Sequence, residues 1–138
     1  MSKVIGYIPT ANYNGTDSFD VQVADGKGGS DSITVNVNIA AVNDAPLVNA
    51  GADQAVRMNN IVNLNGSGTD VDGNALTYSW SLTTVPAHSK AALSSATSAN
   101  PTFKADKEGT FIARLVVNDG TVDSAPATVT ITVTKGKK

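Results

Sequence analysis

The residues of this sequence that could do chemistry are its aspartates. Of 12 acidic residues only Glu108 is a glutamate, and the aspartates recur beside glycine and asparagine in short polar runs. The densest run is Asp70-Val71-Asp72-Gly73-Asn74. Alternate carboxylates on a tight turn can converge on a hard, oxygen-seeking cation such as calcium, and Gly73 permits the bend. The spacing is not that of an EF-hand, because Ala75 and Ser81 stand where that loop needs its glycine and its glutamate. Asn43 and Asp44, just ahead of Ala45-Pro46, form a second candidate ligand set. Asp25 and Asp119, each followed by glycine, are the remaining acids of interest. The competing reading is that each of these aspartates caps backbone N–H groups of its own turn.

Other chemistries find little support. The chain has no cysteine, which excludes disulfides, thiolate catalysis and cysteine-ligated zinc. Its one histidine, His88, lies in a Pro/Ser/Lys loop without a second imidazole or a serine–aspartate context, so an enzyme is not expected. A net charge of -2 leaves no basic footprint for nucleic acid. Gly26-Lys27-Gly28-Gly29 lacks the Gly-Lys-Ser/Thr of a phosphate loop. Asn14-Gly15-Thr16 and Asn65-Gly66-Ser67 fit the glycosylation pattern, but Asn-Gly turns explain them equally well. No apolar run is long enough to insert in a membrane, and Met1-Ser2-Lys3 leads straight into Val4-Ile5-Gly6 with no leader pattern.

The elements that must position the aspartates are strands. Hydrophobic content is 41%, aromatic content only 5%, and Thr, Val, Asn, Ser, Asp and Gly dominate, a mix that favours short strands and tight turns. Ala113, Leu115 and Val117 alternate with Arg114, Val116 and Asn118. Past the Asp119-Gly120 turn, Val129, Ile131 and Val133 alternate with threonines, so the stretch predicts a terminal β-hairpin. A similar hairpin occurs early, with Phe19, Val21 and Val23 before Asp25-Gly26 and Ile33, Val35, Val37 and Ile39 after it. The two Asp-Gly turns are separated by about one immunoglobulin-like sandwich, roughly 100 residues. The expectation is therefore the closing part of one repeat followed by one whole domain of a tandem array, an excised piece of a longer chain with a solvated Lys135-Gly136-Lys137-Lys138 end.

The boundary falls at residues 43–46, where Pro46 rejects central-strand pairing. Residues 4–42 then read as about three strands, the first at residues 4–8. Residues 47–134 read as about seven strands: 47–48, 61–64, 76–82, a weak one at 91–93, 100–103 and the terminal hairpin, with an edge through Gln54 and a long polar turn over 66–74. Either face of 76–82 could be buried; Trp80, the only tryptophan, is expected in the core. Asp25 and the linker lie at opposite ends of the strand between them, about 25 Å apart, so they cannot share an ion within one domain. Asn43 and Asp44 could instead meet Asp119 or the 70–74 turn.

Five motifs in order, Asn49-Ala50-Gly51-Ala52-Asp53-Gln54-Ala55-Val56, Val62-Asn63-Leu64-Asn65-Gly66-Ser67, residues 70–80, Asn100-Pro101-Thr102-Phe103 and Leu115-Val116-Val117-Asn118-Asp119-Gly120, resemble a polycystic-kidney-disease (PKD) type domain. Ser81-Leu82-Thr83 departs from the Gly-Asp-Gly many members carry there. Residues 7–46, with Tyr7-Ile8-Pro9, Asn12-Tyr13-Asn14-Gly15-Thr16-Asp17-Ser18-Phe19 and Val42-Asn43-Asp44-Ala45-Pro46, look like the end of a bacterial cadherin-like repeat. The resemblance implies an all-β protein: an immunoglobulin-like sandwich preceded by a partial one. It further implies a non-catalytic, calcium-stiffened spacer in a long extracellular bacterial surface protein, flanked by neighbouring sandwiches, with calcium at the 70–74 turn or the linker. One alternative is a carbohydrate- or matrix-binding accessory module of a secreted hydrolase, which would need solvent-facing Trp80 and Tyr78. The other is self-association through the open strand edges of the incomplete first unit.

Overall fold

The computed structural model describes Gly6, Ile8 and residues 13–136, and these contain strands and turns with no helix. The chain divides into two compact units, Met1–Asn43 and Asp44–Lys138. In the first, β1 (Gly15–Ala24) pairs antiparallel with β2 (Ser30–Ile39), with Phe19 opposite Val35 and Val21 opposite Ile33. Period-two alternation puts Phe19, Val21, Val23, Ile33, Val35, Val37 and Ile39 on one face, with Asp17 and Asp31 at its ends, and Ser18, Asp20, Gln22, Thr34, Asn36 and Asn38 on the other. The turn between them is held by Asp25, whose Oδ1 accepts the Lys27 N–H at 2.7 Å and the Gly29 N–H at 2.9 Å. Those two N–H groups hold its carboxyl below the usual carboxylate range. Asp25 is thus a turn cap. Apart from Gly6 and Ile8, the strand expected over 4–8 lies outside the described residues.

The second unit has eight strands: β3 (Leu47–Asn49), β4 (Gln54–Arg57), β5 (Ile61–Asn63), β6 (Ser67–Thr69), β7 (Thr77–Thr84), β8 (Thr102–Lys104), β9 (Gly109–Asn118) and β10 (Ala127–Thr134). One layer is a four-stranded sheet in the order β4-β10-β9-β7, and the ladders β3-β6 and β5-β8 supply the strands facing it. The expected hairpin is β9-β10, with Phe111 opposite Ile131 and Ala113 opposite Val129. Phe111, Ala113, Leu115 and Val117 from β9 join Val129, Ile131 and Val133 from β10, Val62, Phe103 and Trp80 in one core. The Phe103 and Phe111 rings meet across it with centroids 5.2 Å apart. Tyr78, Trp80 and Leu82 share one parity on β7 and turn inward, while Ser79 and Ser81 face out, which settles the phase of that strand.

Three departures from the sequence-based expectation have local causes. Ser67-Gly68-Thr69, read as part of a polar turn, is the strand β6 opposite β3. A side chain at Gly68 would come within 3.0 Å of Leu76 and 3.1 Å of Val117, so the strand lies against the core by having none. The four residues of β4 pair parallel with β10, Gln54 with Ile131 through Arg57 with Thr134. Residues 91–93 form no strand, although Ala91 and Leu93 pack against the core. Their neighbourhood is rich in hydroxyls that bond backbone directly, as Ser95 to Thr97 N–H, Ser98 to Asn100 N–H and Ser94 to Thr102 N–H, and such bonds compete with a ladder. Asp106 fastens the start of this loop by accepting from the Ser89 hydroxyl at 2.5 Å and the Lys90 N–H at 2.6 Å. Ser89 and Lys90 hold its carboxyl below the usual range.

Candidate cation-binding pole

The turn at 70–74 joins β6 to β7. Asp70 Oδ1 accepts the Asp72 N–H at 2.8 Å and the Asn74 N–H at 3.3 Å, and the Asp70 carbonyl accepts the Gly73 N–H at 3.2 Å. Gly73 completes the turn at φ 76°, in the left-handed region that favours glycine. One oxygen of Asp70 therefore does the capping work the plain reading assigns to it. The other, Oδ2, is buried with no hydrogen-bond partner. An anionic oxygen removed from water without a partner is costly, and a cation is the partner chemistry would choose.

The linker meets this turn. Asp44, the first residue of the second unit, donates its N–H to Asp72 Oδ2 at 2.8 Å, and Pro46 beyond it is buried. Of the destinations the sequence left open for Asp44, the structure shows the 70–74 turn. It is the backbone of Asp44 that makes this bond. Asn43 ends the other unit.

Asp119 sits at the same pole, since Thr77 opposite Asn118 places the end of the 70–76 segment beside the end of β9. Asp119 is only 7% exposed. Its Oδ1 accepts the Thr121 and Val122 N–H groups, each at 2.7 Å, so it caps the turn after β9. Asn118 accepts the Gly120 N–H at 2.6 Å and donates to Asp123 at 2.8 Å, and Ser124 Oγ accepts the Val117 N–H at 3.0 Å. The pole is thus a set of interlocked Asx turns. Among the described residues, no three histidine or carboxylate side chains are placed to hold a metal together. Asp70, Asp72, Asn74 and Asp44 gather at one turn, Asp119 lies at the neighbouring one, and the donor chemistry is all oxygen. That set suits a weak hard-cation site completed by neutral oxygens and water, not a tight carboxylate cage.

Residues the sequence did not single out are structural anchors. Asp53 Oδ1 accepts the Thr130 N–H at 2.9 Å, where β4 has not yet begun to cover β10. Asp106 is the loop fastener described above. No local pattern marks either, because both act on backbone far away in sequence. His88 is exposed, with its backbone at φ 64°.

An eight-stranded sandwich with a Trp-centred core, an Asx-rich pole and an Asp-Gly turn after its longest strand defines a PKD-type immunoglobulin-like domain. Residues 50–133 match the family model described as K319L-like, PKD domain, and the chain belongs to that family. Residues 2–38 match the model described as a bacterial Ig domain, a stretch that overlaps residues 7–46, where the sequence resembles the end of a cadherin-like repeat. Similar solved structures include the PKD domain of KIAA 1837 protein, at 22% identity and TM-score 0.56, covering 72% of this chain and 96% of that one. The PKD domain of human KIAA0319 (residues 329–428) is 16% identical with TM-score 0.58, covering 69% and 86%. These likenesses concern the fold. No curated protein matches the sequence. PKD and Ig-like domains are typically non-catalytic.

Proposed function

We propose that the chain is a non-catalytic structural and adhesion module of a long extracellular bacterial surface protein, in which its sandwich acts as a spacer between neighbouring domains. The observation that carries this reading is where the chain enters and leaves the second unit. It enters at the Asp44–Asp72 contact, beside the Asn118 end of β9, and leaves after Thr134, beside the Gly109 end, where Gly109 lies opposite Val133. Those ends are about 30 Å apart along a ten-residue strand, so each such domain adds its full length to a series. Membership of the PKD family and the bacterial Ig match support the surface setting. The carbohydrate-binding alternative gains nothing, because Trp80 is 2% exposed and Tyr78 is half-buried.

Tension along this axis pulls β4 and β10 in opposite directions, and because they are parallel it loads their ladder in shear. The four pairs, together with Met58 N–H to Thr134 carbonyl at 2.8 Å, must then give way together. Single-molecule stretching between the ends of the second unit should show one cooperative rupture. Val56→Pro, which disrupts this short ladder, should lower the force while Trp80 emission stays native. Equal forces for both proteins, with native emission, would remove the load-bearing reading.

Calcium stiffening is the finer part of the proposal. Asp70 Oδ2 supplies the charged ligand, with Asp72, Asn74, Asp44 and Asp119 the other candidate donors. With so few charges the affinity belongs in the weak range of extracellular modules, Kd about 10⁻⁴–10⁻³ M. At about ten times Kd, binding to the folded state alone contributes about 1.4 kcal/mol. That is a rise in Tm of roughly 6–11 °C, reversed by chelator. Asp70→Asn keeps the Oδ1 cap and should abolish the rise while leaving the chelated Tm nearly unchanged. Identical Tm values for the parent protein in calcium and in excess chelator would remove calcium without touching the spacer reading.

A further inference from the structure

We propose that a second copy of this chain pairs antiparallel along the outer edge of β2, about a two-fold axis at Asn36. Among the described residues β2 has β1 as its only strand partner. Asp25 N–H donates to the Gly29 carbonyl at 3.0 Å. In an antiparallel ladder such hydrogen-bonded pairs alternate, so the odd-numbered residues of β2 bond to β1. Thr34, Asn36 and Asn38 then present their N–H and C=O groups outward, while the Ser32 N–H is taken by Asp31 Oδ1 at 2.9 Å. Natural edges are commonly guarded by charge, proline or a bulge. From Ser32 to Ile39 there is none of these and no glycine: the run Ile33-Thr34-Val35-Asn36-Val37-Asn38-Ile39 is β-favouring and uncharged. The edge of β1 carries Asp17 and Asp20.

A second copy is the occupant that this edge matches. With Asn36 opposite its own counterpart, Ile33 lies opposite Ile39, Val35 opposite Val37 and Thr34 opposite Asn38. Every apolar residue meets an apolar one, on the same face. The nearest charge, Asp31, falls opposite Ala41, so no carboxylates oppose. This register also makes the outward-bonding residues face each other, as a ladder requires. A one-residue slip would turn the apolar row to the wrong face, and centring on Val35 would set Asp31 against Ile39. Among the described residues the joined sheet has four strands, whereas an isolated two-stranded hairpin is marginal in water. Ile33, 62% exposed, gains a cross-strand neighbour.

Sedimentation velocity of the 138-residue chain should show a monomer–dimer equilibrium that shifts on roughly hundredfold dilution. Asn36→Lys and Asn36→Glu each place like charges directly across the axis and should raise the dissociation constant about tenfold. An equimolar mixture of the two should restore a dimer, which a merely unfolded hairpin could not do. In a chain without cysteine, Asn36→Cys should cross-link under oxidation, because directly opposed Cα atoms about 5.5 Å apart suit a disulfide. Gln22→Cys, on β1, should not. A parent chain monomeric throughout, a dimer equally stable in both charge variants, or equal cross-linking through position 22 would each overturn the proposal.

Discussion

Truncating Trp80 to alanine is expected to destabilise the second unit by about 3–5 kcal/mol, a large share of the 5–15 kcal/mol that holds a domain folded. The indole is 2% exposed and lies on β7 opposite Leu115 of the same sheet, itself fully buried, while the buried Gly66 closes on it from the segment before β6. Its Nε1–H donates to the Ala99 carbonyl at 3.2 Å, and its backbone N–H to the Ala96 carbonyl at 2.7 Å. Through these bonds Trp80 also anchors the irregular segment before β8. Trp80→Phe separates the two roles. The Ala99 carbonyl still receives the Gly66 N–H at 3.0 Å, so no acceptor is orphaned, and the loss should be well below that of alanine. Calorimetry should show Tm falling by roughly 15–30 °C for Trp80→Ala. A cost under ~1 kcal/mol would mean that the indole is not a core residue.

The fold was most legible where one strand carries its own alternation. β1, β2, β9 and β10 announce themselves by apolar residues at every second position, and the Asp-Gly turns mark the hairpins, whereas β7 was expected as a strand whose buried face stayed open. β6 was hidden because its fit to the core depends on a missing side chain at Gly68, which reads in sequence as a turn glycine. β4 was hidden for another reason: a parallel partner more than seventy positions away leaves no trace in four residues. The loop at 91–93 misled in the opposite sense, since Ala91 and Leu93 are half-buried without belonging to a ladder.

The candidate site divides in the same way. That aspartates at 25, 70 and 119 sit in turns is readable from the glycines near them, and each does cap its turn. What distinguishes Asp70 is its second oxygen, buried and unpartnered, and burial of one atom is a property of packing that a motif cannot express. The bond from Asp44 to Asp72 likewise depends on β3 lying beside β6, a pairing invisible before the fold.

Gly66→Ala is expected to cost about 3 kcal/mol, the upper part of the range for overpacking a core, although it adds a single methyl. In sequence Gly66 belongs to an Asn-Gly-Ser turn pattern; in the structure it is buried between the layers. A Cβ there would meet Leu115 Cδ2 at 2.7 Å, Trp80 Cζ2 at 2.8 Å and the Ala99 carbonyl oxygen at 2.9 Å. None of the three can retreat cheaply. Leu115 and Trp80 are enclosed by the core, and the carbonyl is fixed by the two N–H groups it accepts. Gly73→Ala is the informative contrast: it has open space around it and only its φ of 76° to oppose a side chain, so about 1–2 kcal/mol should suffice. Pairing Gly66→Ala with Leu115→Ala tests the cause, because the smaller neighbour vacates the position the new methyl needs. The double variant should then be more stable than the sum of the single losses predicts, by a coupling of about 1 kcal/mol or more in denaturant titrations followed by Trp80 emission. Strict additivity would clear Leu115 and place the cost of Gly66→Ala on the Trp80 and Ala99 contacts instead.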